Sequence, residues 1–71
     1  MRKDDVMEQY RKELHNIVMA RNETEVDAHN TAAEEIIAGG QRLLSPKEYA
    51  DSLQALRVFT WRAKWKFREG I

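Results

Sequence analysis

The residue types that could perform acid–base chemistry or hold a metal are sparse in this chain and badly spaced for it. His15 and His29 lie fourteen positions apart, about 21 Å along one continuous helix, so they cannot share an ion or a proton unless the chain folds back between them. Glu25 and His29 stand at i, i+4 and could in principle ligate one ion together. Two ligands on a polar helix surface fall short of a closed coordination shell, and the ordinary reading is a solvated pair. Glu34 and Glu35 read as first-turn acids behind a Thr31 cap, or as a wetted face, rather than as a general acid/base pair. The chain has no cysteine, no phosphate-binding glycine loop and no H-E-x-x-H. We therefore expect no catalytic residue, no metal, no cofactor and no enzymatic activity.

A second chemistry is better represented. The stretch FTWRAKWKFREG, Phe59 to Gly70, places four aromatic and four basic side chains in twelve positions. Aromatic faces can stack on bases while arginine and lysine neutralise phosphate, and the same residue types anchor protein interfaces. What these side chains can do depends on the elements that carry them.

Composition limits those elements. Seventy-one residues make one domain, and a chain this short buries only about 60% of the surface it exposes when unfolded. With no disulfide to help, self-association is expected to complete the core, most simply as a two-fold dimer. The absence of cysteine and of a long apolar run suggests a cytoplasmic protein with no membrane contact. Formal net charge is zero, yet Met1 to Ala38 hold nine acidic and five basic side chains, and Leu56 to Ile71 hold five basic and one acidic. Such a split either serves a negatively charged partner or lets the two ends attract each other as the chain folds back.

Glycine and proline fall only where helices should stop or start, which predicts an all-α fold: a helical hairpin or a three-helix arrangement. Met7, Tyr10, Leu14 and Ile17 line one face of a helix over 3–21, with Val6 and Val18 at its margins. A helical segment over 24–38 follows. Its start is ambiguous, because Asn22 with Glu25 and Thr31 with Glu34 both have capping-box spacing, and one long helix is a third option. Gly39-Gly40 is expected to close it in the left-handed conformation. Ser45, Pro46 and Glu48 then form a strong helix start, predicting a helix over 46–69 capped by Gly70.

On a wheel that last helix has two apolar faces. Tyr49, Leu53, Leu56, Thr60, Ala63 and Phe67 step by four and three as a heptad seam, which we assign to the core against the first helix. Trp61 and Trp65 point almost opposite, beside Val58, with Arg57, Lys64 and Arg68 on the same side. A hairpin would leave this face in water, although burying an aromatic of this size is worth about 2–3 kcal/mol. A second subunit, the 24–38 segment folded over as a third helix, a heterologous protein, nucleic acid or a membrane surface could cover it. A bend within Asn22–Thr31 would bring Ala28, Ala32 and Ile36 within reach of the tryptophans, whereas a straight helix would leave them free.

The string LSPKEYADSL from Leu44 resembles the opening of the helix-turn-helix in excisionase-type and MerR-like winged-helix regulators, and the closing REGI is similar to the segment that leads into their wing. Together they cover 14 of 71 residues. The turn after Leu53 reads QALR, without the glycine or serine of that pattern. The resemblance implies that Arg57, Thr60, Arg62 and Lys64 lie on a recognition helix for the major groove. From the tryptophan face opposite the seam we expect an adaptor, inhibitor or regulatory subunit that docks a partner through Trp61, Trp65, Arg57, Lys64 and Arg68. The second expectation is a DNA- or RNA-binding regulator using the same basic aromatic helix.

Overall fold

The computed structural model describes residues 2–69, which form three α-helices and one 3-10 turn: α1 (Lys3–Val18), α2 (Glu23–Gly39), the turn (Gln41–Leu43) and α3 (Pro46–Glu69). The fold is a three-helix, all-α bundle.

Each boundary has a local cause. At the start of α1 the Arg2 amide donates to Asp5 Oδ2 at 3.2 Å, and Asp4 and Asp5 sit where the helix dipole favours acids. The helix ends at Val18, earlier than its apolar spacing suggests, because the chain must reverse here. Met19 N donates to His15 O at 3.0 Å and Ala20, only 6% exposed, tucks into the core. Of the two candidate restarts, Asn22 is the one used: its side chain accepts from Glu25 N at 2.9 Å, while Glu25 reaches back to Arg21 N at 2.8 Å. Thr31 therefore lies inside α2, and the single long helix is excluded.

At the other end of α2 the expectation of a left-handed glycine is not met. Among the described residues no glycine has positive φ, and Gly40 has φ −98° and ψ 9°. Glycine is required there for room: a Cβ at Gly40 would lie 2.6 and 2.7 Å from the two γ-carbons of Val6, which α1 brings against this corner. Ser45 then starts α3 with both arms of a capping box, Glu48 N to Ser45 Oγ at 3.1 Å and Ser45 N to Glu48 Oε1 at 2.9 Å. Gly70, the expected C-terminal cap of α3, lies outside the described residues.

The core holds Tyr10, Ile17, Ala20, Val26, Ala33, Ile37, Leu44 and Leu56, with Met7, Leu14, Ile36, Tyr49, Leu53, Ala63 and Phe67 packed around it. The α3 seam is thus closed by α1 and α2 of the same chain, with Thr60 half-buried at its edge. Two assignments within the helices change. Val6 is fully buried rather than marginal, whereas Val18 is 49% exposed. On α2 the inward residues are Val26, Ala33 and Ile37, and Ala28 faces water. Both sets are helical repeats, but the first buries two large β-branched side chains, and apolar area decides which way the helix turns. Tyr10, buried in α1, satisfies its hydroxyl by donating to the Ser52 carbonyl of α3.

Glu48 also ties α3 to α1 through an ion pair with Lys3. The Lys3 ammonium, with the Ser45 amide, holds the Glu48 carboxyl below the ordinary 4.5. A carboxylate with a lowered folded pKa contributes stability that is present above its unfolded value and lost as pH falls through the folded one. The melting temperature should accordingly drop on acidification below pH 4.5, and Glu48→Gln should flatten that limb in a series of melts while lowering the neutral-pH value slightly.

Candidate partner-docking face

α3 is long enough for its second half to carry side chains in every direction. The seam points into the bundle, and one flank, with Thr60, Lys64 and Arg68, meets α2. Thr60 Oγ1 donates to Asn30 at 2.8 Å, Lys64 Nζ lies 2.6 Å from Asp27 Oδ1, and Arg68 Nε lies 3.4 Å from Glu23 Oε1. The acidic front and basic back of the chain are therefore brought together by the fold.

The tryptophans stay outside. Trp61 is 62% and Trp65 50% exposed, and their rings stack on each other with centroids 5.5 Å apart and planes 25° from parallel. The i, i+4 spacing places the two rings one turn apart on the same side, and stacking shields part of each from water without removing either from the surface. The chain does bend at Asn22, but the bend seats α2 on the seam flank. Ala28, Ala32 and Ile36 do not cover the tryptophan face.

The five expected docking residues consequently divide. Trp61, Trp65 and Arg57 are exposed on the outer side of α3, whereas Lys64 and Arg68 are drawn toward the acids of α2. Arg57, Lys64 and Trp61 share the rim of a shallow groove of about 440 Å³ between α2 and α3, which Asn30 and Glu34 complete from the α2 side. Round the other flank the sequence reading missed a neighbouring patch. Val18 and Phe59 line a smaller groove of about 240 Å³ with Ala63, Arg62 and Lys66, and Met19 beside Val18 is 65% exposed. The marginal position of Val18 on the α1 wheel was the available signal. Among the described residues Arg57, Arg62 and Lys66 take part in no ion pair.

The histidines are used differently from a metal pair. His29 Nδ1 lies 2.7 Å from Glu13 Oε1 of α1, an oxygen that also accepts from Asn16 at 3.3 Å. Glu25 is engaged with Arg21 instead, and His15 stands exposed on α1. Among the described residues no three histidine, aspartate or glutamate side chains converge as a metal site. No described helix is long and apolar enough to cross a membrane.

The helix-turn-helix resemblance does not survive the geometry. α3 runs unbroken through QALR, so no turn separates a first helix from a recognition helix, and Thr60 and Lys64 are bonded to α2. The REGI segment ends in residues outside those described. Comparison of the chain with protein-family models, with curated proteins and with solved structures finds no match.

Proposed function

We propose that the protein is a small non-enzymatic interaction module, an adaptor, inhibitor or regulatory subunit, that docks another polypeptide through the outer face of α3. The observation that carries this reading is the exposed, mutually stacked pair Trp61 and Trp65, left outside a bundle whose own seam is already filled. Tryptophan and arginine dominate the energetics of protein interfaces, tryptophan because it loses much apolar area on docking while ordering only two torsions and arginine because its planar guanidinium offers five donors in a fixed fork. Val58 extends the apolar area between Arg57 and Arg62, which favours a partner helix with apolar anchors flanked by acidic side chains. Lys64 and Arg68 hold the helix against α2 and lend the rim of the face only part of their charge.

The nucleic-acid reading is weaker on this geometry. Of the five basic residues from Arg57 onward, Lys64 is paired with Asp27 and Arg68 in part with Glu23, and the three or four cations left to a polyanion would give a log–log salt slope of only about −3.

The test pairs the wild-type chain with Trp61→Ser/Trp65→Ser. Proteins retained by immobilised wild-type chain and lost from the variant are purified and titrated against both; affinity should fall more than tenfold in the variant, with its helicity unchanged. Equal affinity for the two chains refutes the reading. So does tighter binding of short duplex DNA or single-stranded RNA at low salt than of any protein.

A further inference from the structure

The outer face of α3 carries a heptad pattern of its own. Asp51, Gln54, Val58, Trp61, Trp65 and Arg68 succeed one another by three, four, three, four and three positions, and all six are exposed. Only Val58, Trp61 and Trp65 of the row are apolar, a centre about one heptad long along which a second helix can pack, and α1 and α2 are both committed to the other side of α3. The row spans about 26 Å from Asp51 to Arg68 at 1.5 Å per residue. An acid marks one end, a base the other, and the apolar residues lie between them.

Reversing the row about the midpoint between Val58 and Trp61 exchanges Val58 with Trp61, Gln54 with Trp65, and Asp51 with Arg68. In each pair the two members complement each other: a small apolar residue against a large one, an amide-tipped stem against an aromatic face, an acid against a base. We propose that a second copy of this chain occupies the face, α3 lying antiparallel on α3 about a two-fold axis through that midpoint. The proposal rests on the reading of this face as a docking surface and names its occupant. Self-complementarity under a two-fold is what an isologous interface requires.

Charge fixes the direction. A parallel pair would set Asp51 on Asp51 and Arg68 on Arg68, and would gather Arg57, Arg62 and Lys66 of both copies in one place. An antiparallel pair brings Arg57 of each copy level with Arg62 of the other, but it moves the two Lys66 residues about 20 Å apart along the axis and sets each acid beside the other copy's base. Arg68 can serve both contacts, since its guanidinium has five donors and its side chain is 66% exposed while touching Glu23.

The experiment is sedimentation equilibrium of the intact chain and three charge variants over a concentration series, with circular dichroism to establish that each is folded. The wild-type mass should rise with concentration from 8.4 kDa toward twice that value. Asp51→Arg and Arg68→Asp should each raise the dissociation constant about tenfold or more, and Asp51→Arg/Arg68→Asp should return it to within about threefold of wild type. Arg68→Asp also loses Glu23, but the double variant loses Glu23 too, so its recovery can come only from the contact between copies. A monomer at every concentration, or a dimer in which the double variant is no better than the singles, overturns the antiparallel pairing. If that happens while a purified partner still distinguishes Trp61→Ser/Trp65→Ser from wild type, the docking function stands without self-pairing. Charge-swap recovery with no such partner supports the dimer and removes the wider docking function.

Discussion

Ile17→Ala should cost about 3–4 kcal/mol and lower the melting temperature by more than about 12 °C, read by circular dichroism during thermal or urea unfolding. Ile17 is 0% exposed and sits in the core formed by all three helices. Removing its three outer carbons loses their transfer free energy and leaves a void that a close-packed interior refills only partly. A chain of 71 residues has a total stability of only about 4–10 kcal/mol, so the loss is a large fraction of the whole. Val18 is the internal control. It is the next residue and equally apolar, but 49% exposed, and Val18→Ala should change stability by no more than about 0.5 kcal/mol. Comparable losses at the two positions would mean that α1 is rotated from the orientation described.

That contrast is a sequence-level one, since the spacing of Met7, Tyr10, Leu14 and Ile17 already places Ile17 inside and Val18 at the edge. The same holds for α3. Its start depends on Ser45, Pro46 and Glu48 alone, and its inner face on a heptad row, so both are local properties that a sequence expresses without knowledge of the rest of the fold. α2 is different. Ala28, Ala32 and Ile36 form as regular a helical row as Val26, Ala33 and Ile37, and the choice between them is made by simultaneous contact with two other helices. Likewise Asn22 and Thr31 are equal as caps by spacing. Asn22 is selected because the turn at Met19–Arg21 lets α2 lie back along α1, with Ala20 buried beneath it.

The exposure of Trp61 and Trp65 was legible in the sequence, whereas the particular ion pairs of Lys64 and Arg68 were not, for a related reason. Trp61 and Trp65 are placed by their own helix, and no other element comes over them. Lys64 and Arg68 have long flexible stems, and where their charges settle depends on the acids within reach. Asp27 and Glu23 come within reach only because α2 docks beside α3, a fact that no wheel of α3 contains. A face that looks strongly basic in isolation becomes an apolar ridge with three cations at its margins, Arg57, Arg62 and Lys66, that take part in no ion pair among the described residues. It is on this basis that we propose a polypeptide partner over a polyanion.

Gly40 is a sharper case of the same limit, and substitution there should also be strongly damaging. Gly40→Ala is expected to destabilise the chain by about 2–3 kcal/mol, whereas Gly39→Ala should be neutral or stabilise it by up to about 1 kcal/mol. From sequence the two glycines are equivalent, both suited to closing a helix. Neither has positive φ, so alanine strains the backbone at neither, and the difference lies in what the new methyl meets. At Gly39 nothing lies within 4 Å of an added Cβ; at Gly40 it would sit 2.6 and 2.7 Å from the two γ-carbons of Val6 and 3.2 Å from its Cβ. A rotamer change at Val6 can withdraw only one of those methyls, because two of the three positions on its Cβ face Gly40. Val6 is itself 0% exposed, so α1 must shift to relieve the clash. The decisive measurement is the double-mutant cycle by urea unfolding. In a Val6→Ala background both offending methyls are gone, and Gly40→Ala should cost less than half of what it costs in the wild type. An undiminished cost there would place the requirement for glycine in the backbone and not in the approach of α1.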